Sequence, residues 1–166
     1  MADDATTKVL LVCLGNICRS PMAEAVLAHQ AKVRGVRDRL VVDSAGTAAY
    51  HAGEPPDRRT VQTCKTNGVA ISHRARKVRA ADFGEFDYIL CMDEGNLDDL
   101  NRVKPAGARA HVALFGSYSS QAGDRIIEDP YYGGTDGFRT NFAQLTRCAA
   151  GLLDELGLSG GPARPQ

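Results

Sequence analysis

An uninterrupted apolar run near the start of the chain leads through a short loop directly into a helix. The run Val9-Leu-Leu-Val12 has the composition of a buried strand, and it ends at Cys13. Ser20 and Pro21 predict the start of a helix, with Ser20 as the N-cap and Pro21 in the first turn, where proline is favoured. A buried strand that feeds a helix within a few residues is typical of a parallel sheet covered by helices. The loop between them is therefore predicted at the carboxyl end of a strand.

The rest of the chain alternates in the same way. Strands are predicted at residues 8–13, 40–43, 86–91 and 111–115, and helices at 21–34, 57–67, 94–103 and 135–156. This order predicts an α/β fold of one domain, an open four-stranded parallel sheet with helices on both faces. Ligands of such sheets bind beyond the carboxyl ends of the strands, which is where Cys13 is expected.

Length and charge restrict the possible partners. The 166 residues fit one domain, predicted at 8–158 between disordered ends at 1–7 and 159–166. Twenty basic and twenty acidic residues cancel, so overall charge favours neither nucleic acid nor an anionic membrane. No apolar run approaches a membrane span, and the first seven residues lack the form of a signal peptide. Five cysteines, without the paired spacing of a zinc site, indicate reduced thiols and a cytoplasmic location.

Residues 14–20, called the phosphate loop below, predict an anion site. Backbone N–H groups at a helix N-terminus and the helix dipole bind anions and favour the thiolate form of a nearby cysteine. Arg19, six positions after Cys13, has a planar fork suited to a tetrahedral oxyanion. A thiolate beneath a bound phosphate is a nucleophile directed at phosphorus. The alternative is a buried cysteine that ends a core strand and an arginine on a solvated helix face.

At these residues the chain closely resembles the low-molecular-weight protein tyrosine phosphatases. The resemblance covers nearly all of residues 8–158, and four segments carry it: Cys13-Leu-Gly-Asn-Ile-Cys-Arg-Ser-Pro21, Asp43-Ser44, Phe86-Asp-Tyr-Ile-Leu-Cys-Met-Asp93 and Asp129-Pro-Tyr-Tyr132. It implies a flavodoxin-like fold of the phosphotyrosine phosphatase I type. It also implies metal-independent hydrolysis of phosphotyrosine and aryl phosphates through a cysteinyl-phosphate, without a cofactor. The implied partners are phosphotyrosine-containing proteins or peptides, with phosphate and other oxyanions as inhibitors, and the chain is expected to be a monomer or to self-associate weakly.

Asp129 is the candidate general acid, because departure of a phenolate requires a proton. It lies in Glu128-Asp-Pro-Tyr-Tyr-Gly-Gly134, called the acid loop below, in which Pro130 disfavours helix. On the residues alone, an ordinary turn aspartate is an equal alternative. The resemblance matches this segment to the acid loop of the family and favours the catalytic role.

The resemblance assigns supporting roles around the phosphate. It implies that loop residues bind the phosphate, namely Leu14, Gly15, Asn16, Ile17, Cys18, Arg19 and Ser20. It implies that Asn16 and Ser20, with Ser44 and His73, hold the loop in shape. His73 could equally be a surface histidine among Arg74, Arg76 and Lys77, and these three basic residues are predicted to form a solvated face. Asp93 either lines the site or caps the following helix.

Three tyrosines are the candidate walls of the substrate pocket. The resemblance places Tyr131 and Tyr132 on one side, where they can themselves be phosphorylated, and Tyr50 on the other. Half-buried packing is the alternative for the first two, and exposure to solvent for Tyr50. A deep slot between aromatic rings would favour phosphotyrosine over phosphoserine.

The cysteines beyond Cys13 divide into two groups. Cys18 lies inside the loop, close enough to Cys13 for a reversible disulfide once the nucleophile is oxidised, although a small buried residue is the simpler interpretation. The others, Cys64, Cys91 and Cys148, lie on predicted core faces of helices or strands.

Three other functions compete with the phosphatase. Thiol-dependent arsenate reductases share this fold and loop but need two relay cysteines after the third strand; Cys91 could match the first, whereas the position seven later is Asp98. In relatives that remove phosphate from arginine, a threonine replaces the isoleucine found here as Ile17, whose apolar side chain favours an aryl ester. A non-catalytic phosphate-binding module would need neither Cys13 nor Asp129. The physiological substrate stays open.

Overall fold

The computed structural model describes residues 6–159. Its strands are β1 Thr7–Cys13, β2 Leu40–Gly46, β3 Tyr88–Cys91 and β4 His111–Leu114, and its helices are α1 Arg19–Val33, α2 Arg58–Thr66, α3 Asp82–Glu85, α4 Glu94–Val103 and α5 Thr135–Glu155. All strand pairs are parallel, and the sheet order is β2-β1-β3-β4. The predicted fold class, a four-stranded parallel sheet in one α/β domain, is confirmed.

The sheet order places the end of β1 at the point where the chain direction across the sheet reverses. β1 pairs with β2 on one side, where Cys13 lies opposite Gly46, and with β3 on the other, where Val12 lies opposite Cys91. In open α/β sheets this crevice is where ligands bind. Cys13 therefore ends a central strand at the edge of the sheet where a site is expected.

Two cores lie on opposite faces of the sheet, which explains why β1 has no polar position after Lys8. Val9, Leu11 and Cys13 pack towards α1, α2 and α5. Leu10 and Val12 face the smaller core, which contains Phe83 of α3 and Leu100 of α4. A strand buried on both faces is apolar without alternation.

The N-cap prediction for α1 is wrong. The helix begins at Arg19, and Cys18 occupies the N-cap position without a side-chain hydrogen bond. Ser20 lies one residue inside the helix, where its hydroxyl contacts Cys13 and Asn16 instead of a backbone N–H of α1. A serine at the start of a helix predicts a cap, but here tertiary contacts use its hydroxyl.

Other boundaries differ by a few residues. β2 extends to Gly46. β3 begins only at Tyr88, because Phe86 still belongs to the end of α3, a short helix that the sequence did not predict. Asp57 caps α2 as predicted, accepting from the backbone N–H of Arg59 at 2.8 Å. The predicted disordered ends fall largely on residues 1–5 and 160–166, which lie outside the described residues. Among residues 6–159, no helix is long and apolar enough to span a membrane.

Candidate active site

The phosphate loop curls around the sulfur of Cys13. The Asn16 backbone N–H points to Cys13 Sγ at 3.3 Å, and Ser20 Oγ lies 3.0 Å from the same sulfur. Cys13 itself is only 2% exposed. A backbone N–H and a hydroxyl of the loop therefore both contact the buried sulfur.

Asn16 is the one non-glycine residue with positive φ, 61°, in the part of the chain that the structure describes. Its amide Nδ2 donates to Ser20 Oγ at 2.7 Å and to Ser44 Oγ at 3.1 Å. Its Oδ1 accepts from His73 Nε2 at 2.8 Å and from the backbone N–H of Arg76 at 3.0 Å. Four hydrogen bonds thus fix a buried residue in a sparsely populated conformation, which surrounding contacts must over-determine.

The neighbouring strand end approaches the loop too closely for a side chain. A Cβ on Gly46 would lie 2.6 Å from the carbonyl oxygen of Leu14, so any larger residue would displace the loop. Just beyond, the backbone N–H groups of Thr47 and Ala48 donate to the carbonyls of Cys13 and Leu14 at 2.9 and 3.0 Å. The β2 end therefore forms a rigid support on one side of the loop.

Behind Asn16, a buried polar network joins α1, β2 and the segment before α3. Ser44 Oγ donates to Glu24 Oε1 at 2.7 Å, and His73 Nδ1 lies 3.2 Å from that oxygen. Burial raises the pKa of Glu24 to about 7 and lowers the pKa of His73. The network therefore supports Asn16 from behind through Ser44 and His73, which both contact Glu24.

The same network contains the one candidate cation site of the described residues. Donor atoms of Glu24, Asp43 and His73 lie within 4.8 Å of one another. Glu24 and His73 already contact each other, and Asp43 accepts hydrogen bonds from Arg76 Nη2 at 3.1 Å and Nε at 3.3 Å. The residues act here as hydrogen-bonded supports of the loop.

Arg19 is buried where the phosphate loop enters α1. Its Nη1 donates to Asp93 Oδ2 at 2.5 Å and to the Ile127 carbonyl at 2.9 Å. Burial lowers the pKa of Arg19, but Cys13, Asp93 and Asp129 together outweigh burial and raise it above its ordinary value. The guanidinium Nε has no protein partner among the described residues and remains available to an anion.

Asp93 caps the following helix, which is one of the two roles that the sequence left open. Its Oδ1 accepts from the backbone N–H of Asn96 at 2.8 Å within a capping box of α4. It does not line the cavity above Cys13, but its Oδ2 holds Arg19, which does. One carboxylate therefore starts a helix with one oxygen and orients the candidate phosphate-binding arginine with the other.

Asp129 faces the same space from the acid loop. Its Oδ2 lies 3.6 Å from Arg19 Nη2, its Oδ1 accepts from the backbone N–H of Tyr131 at 3.0 Å, and its side chain is 41% exposed. A carboxyl group beside the phosphate-binding arginine and open to solvent can deliver a proton to a group that leaves from the loop.

Aromatic side chains surround the mouth of a cavity of about 130 Å³ above Cys13. The rings of Tyr131 and Tyr132 meet edge to face at 4.9 Å, and His51 lies 6.2 Å from Tyr131. The cavity is lined by Cys13, Leu14, Gly15, Ile17, Cys18, Arg19, Tyr50, His51, Asp129, Tyr131 and Tyr132. Tyr50 and Tyr132 are mostly exposed at its rim. A larger hollow of about 770 Å³ between α2 and α5 is lined by no residue of the phosphate loop, and neither Cys13 nor Asp129 reaches it.

The comparisons with known proteins agree with this geometry. The family model of low molecular weight phosphotyrosine protein phosphatases matches residues 8–159. The chain belongs to this family. It is 49% identical over 150 residues to a Schizosaccharomyces pombe protein named low molecular weight phosphotyrosine protein phosphatase, covering 90% of this chain and 96% of the relative. The family resemblance is confirmed.

Solved structures show the same fold with more than one named activity. A protein tyrosine phosphatase from Entamoeba histolytica superposes with a TM-score of 0.88 at 34% identity, covering 92% of this chain and 97% of that one. A Drosophila arginine phosphatase superposes with a TM-score of 0.86 at 38% identity, covering 90% and 98%. The fold alone therefore does not choose between these two substrate classes.

The predicted solvated face is correct for Arg74 and Lys77, which are exposed, and wrong for Arg76. Arg76 pairs with Asp43 and, through Nη1 at 3.0 Å, with Asp82, which is fully buried. Burial raises the pKa of Asp82, but hydrogen bonds from Arg76 and Arg79 outweigh burial and hold it below its ordinary value. His73, the other ambiguous residue of this segment, is likewise half-buried behind Asn16 and not on the surface.

Cys18 lies in the cavity wall but is not a second thiolate. Burial raises its pKa to about 12, and Asp57, Cys13 and Asp129 add to this rise. All five cysteines are unpaired. Cys18 is therefore a protonated thiol beside the candidate nucleophile.

Several residues of the site were not singled out from the sequence. His51 lines the cavity, Glu24 supports Ser44 and His73, and Arg59 reaches the acid loop. A charged residue inside a helix or loop gives no local signal of such contacts. The one sequence signal near these residues is the predicted Asp57 cap, which fixes the start of α2 next to Arg59.

Proposed function

We propose that this chain hydrolyses phosphotyrosine and aryl phosphates in two steps, with Cys13 as the nucleophile. The observation that carries the proposal is the convergence of Cys13, Arg19 and Asp129 on one cavity, with Asp129 Oδ2 3.6 Å from Arg19 Nη2. These are the nucleophile, the phosphate-binding cation and the proton donor that a phosphate monoester requires.

In the first step, the Cys13 thiolate attacks phosphorus in line with the aryl oxygen. The sulfur–phosphorus bond forms as the phosphorus–oxygen bond breaks, and Asp129 gives its proton to the departing phenolate. Arg19 and the N–H groups of the phosphate loop bind the other three oxygens, whose negative charge they offset. Ser20 and the Asn16 N–H stabilise the attacking sulfur before the reaction.

In the second step, water attacks the cysteinyl-phosphate. Asp129, now a carboxylate, accepts a proton from that water, and the Cys13 thiolate leaves as inorganic phosphate forms. The net reaction consumes one water and restores both side chains. Every role is assigned to a group of this chain, so the proposed mechanism is metal-independent and needs no cofactor.

The supporting residues keep the loop in the shape of its ligand. Asn16 and Ser20 shape it from within, while Ser44 and His73 bind Asn16 from outside. The bound phosphate would be contacted by Leu14, Gly15, Asn16, Ile17, Cys18, Arg19 and Ser20. Other tetrahedral oxyanions should therefore compete with substrate.

The cavity walls favour an aryl ester. Tyr131 and Tyr132 form one wall, Tyr50 lies at the opposite rim, and Ile17 contributes an apolar side chain. A flat ring between such walls gains aromatic contacts, and a guanidinium gains no polar partner from Ile17. This supports phosphotyrosine proteins or peptides as the substrate class over phosphoarginine.

Four further expectations accompany this function. The unpaired cysteines support a reducing, cytoplasmic location, and we propose that Cys18 forms a disulfide with oxidised Cys13. The functional domain is proposed at 8–158. We propose a monomer or a weakly self-associating chain, because the site is complete within one copy.

The test is turnover of p-nitrophenyl phosphate and of peptides that carry phosphotyrosine, phosphoserine or phosphoarginine. Phosphotyrosine should be preferred, and Cys13→Ser should abolish turnover while the thermal unfolding midpoint stays near that of the wild type. Quenching the reaction in acid should trap phosphate on the wild-type chain but not on Cys13→Ser. Activity that survives Cys13→Ser, or a preference for phosphoarginine, would refute the assignment.

A further inference from the structure

The start of α2 holds both loops of the active site together. The backbone N–H of Asp57 donates to the Ile17 carbonyl at 2.8 Å, and Thr60 Oγ1 donates to the Cys18 carbonyl at 3.3 Å. From the same turn, Arg59 donates to the carbonyls of Tyr131 at 2.9 Å and Gly133 at 3.1 Å. One helical turn thus contacts the phosphate loop and the acid loop.

Arg59 is the strongest of these connections. Among the described residues, it is the only side chain from outside the acid loop that hydrogen-bonds to residues 130–134. Its guanidinium also lies 4.5 Å from the ring centroid of Phe138 and 5.6 Å from that of Tyr131, so aromatic faces confine it as well.

Asp57 fixes the direction of the Arg59 fork. Its Oδ1 accepts from Arg59 Nε at 3.0 Å and its Oδ2 from Nη2 at 3.1 Å, a bidentate pair. Burial raises the pKa of Asp57, but the hydrogen bonds from Arg59 outweigh burial and keep it below its ordinary value. Asp57 therefore stays charged at neutral pH and holds the guanidinium towards the acid loop.

We propose that Arg59 is a positioning residue for the general acid, which it sets at working distance from the phosphate loop by binding the acid loop on the carboxyl side of Asp129. This inference rests on the proposed function. On the amino side of Asp129, Arg19 donates to the Ile127 carbonyl and Asn141 donates to the Glu128 carbonyl. Arg59 supplies the corresponding hydrogen bonds on the carboxyl side. Without it, no side chain from outside the acid loop hydrogen-bonds to residues 130–134 in the part of the chain that the structure describes, and we expect the distance of 3.6 Å between Asp129 and Arg19 to be less firmly enforced.

The experiment measures kcat/KM, which reports the steps up to departure of the leaving group, for a series of aryl phosphates. Arg59→Met removes the fork but keeps an unbranched side chain against Phe138. We expect roughly a 10–100-fold loss for phenyl phosphate, the scale of a slightly misplaced catalytic group. For 2,4-dinitrophenyl phosphate, whose leaving group needs no proton, the loss should stay below about 3-fold.

Arg58→Met is the matched control. It removes the same charge one position earlier from an exposed side chain that has no ion pair or hydrogen bond among the described residues, and both substrates should be turned over as by the wild type. Arg59→Lys keeps the charge without the fork and should share the loss of Arg59→Met. It also serves if the methionine variant does not fold.

Combining Arg59→Met with Asp129→Ala separates this inference from the function on which it rests. If Arg59 acts through the acid, the double variant should be little slower than Asp129→Ala alone. An equal loss on good and poor leaving groups, full recovery in Arg59→Lys, or losses that multiply in the double variant would each overturn the inference and leave the phosphatase assignment intact. If Asp129→Ala itself shows no leaving-group dependence, the acid role and this inference fall together.

Discussion

The two loops of the active site are held in different ways. Residues 16–20 of the phosphate loop are buried, and Asn16 alone makes four hydrogen bonds to groups on three different segments. The acid loop lies at the surface, where Asp129 is 41% exposed and Tyr132 almost fully exposed. In the proposed mechanism, the first loop binds the phosphate, which every substrate shares, and the second faces the part that varies between substrates. The more firmly held loop is thus the one that faces the phosphate, the part that all substrates have in common.

The largest effect should come from the acid loop. Asp129→Ala is expected to lower kcat/KM on phosphotyrosine about 10²–10⁴-fold, the usual range for a removed general acid. The loss should shrink as the leaving group becomes a weaker base, which a series of substituted phenyl phosphates would reveal. Equal losses along the series would mean that Asp129 only shapes its loop. The two loops would then differ in how they are held, but the acid loop would supply no proton donor.

A change in the phosphate loop should act on all substrates alike. In Asn16→Ala, the strained φ of 61° loses its hydrogen bonds, and release of about 1–3 kcal/mol of strain would lower kcat/KM roughly 10–100-fold. Asn16→Gly is the control, since glycine accepts positive φ but lacks the amide group. If glycine restores activity, the conformation matters and not the hydrogen bonds; a loss that depends on the leaving group would contradict the division between the loops.

Oxidation should affect only the phosphate loop. Peroxide oxidises the Cys13 thiolate to sulfenic acid, and the Cys18 thiol then displaces water to form a disulfide that dithiothreitol reduces. Cys18→Ser should keep turnover within about threefold of the wild type but recover several-fold less activity after peroxide and dithiothreitol. The measurement is recovered activity together with a count of free thiols. Equal recovery in both proteins would leave Cys18 as a packing residue only.

The smallest effect concerns acid stability behind the phosphate loop. Arg76 bonds Asn16 through its backbone and Asp82 through its side chain, and the pKa of Asp82 is lower in the folded chain than in the unfolded one. That carboxylate therefore stabilises the fold above pH about 4, and the contribution is lost as pH falls through its lowered pKa. Asp82→Asn should be less stable than the wild type at neutral pH, with the difference shrinking towards pH 2 in urea unfolding. A difference that does not change with pH would exclude the ion pair as the cause.

The sequence predicted the fold because its strongest signals are local. The run from Val9 to Val12, the Asp57 cap and the helical spacing of α5 each depend on neighbours in the chain. Cys13 and Arg19 could be placed together for the same reason, since only five residues separate them.

Contacts between distant segments could not be predicted in this way. Ser20 looked like a cap, because nothing local shows that Asn16 and Cys13 use its hydroxyl. Arg76 looked solvated for the same reason, although it pairs with a carboxylate buried in α3. Charged side chains are assigned to the surface by default, so those that the fold buries in pairs are the ones that sequence reasoning misplaces.

Cys13 is the last residue of a central strand, which is buried from Val9 onwards and pairs with a strand on each side. Amide hydrogens in such a strand exchange with solvent only when the whole domain opens, whereas an exposed loop opens at much lower free energy. Denaturant or heat should therefore release the acid loop first, and the nucleophile would be lost only with the sheet itself. A partly unfolded population of this protein would still bind phosphate and would still offer a reactive sulfur, while it had already lost the proton donor.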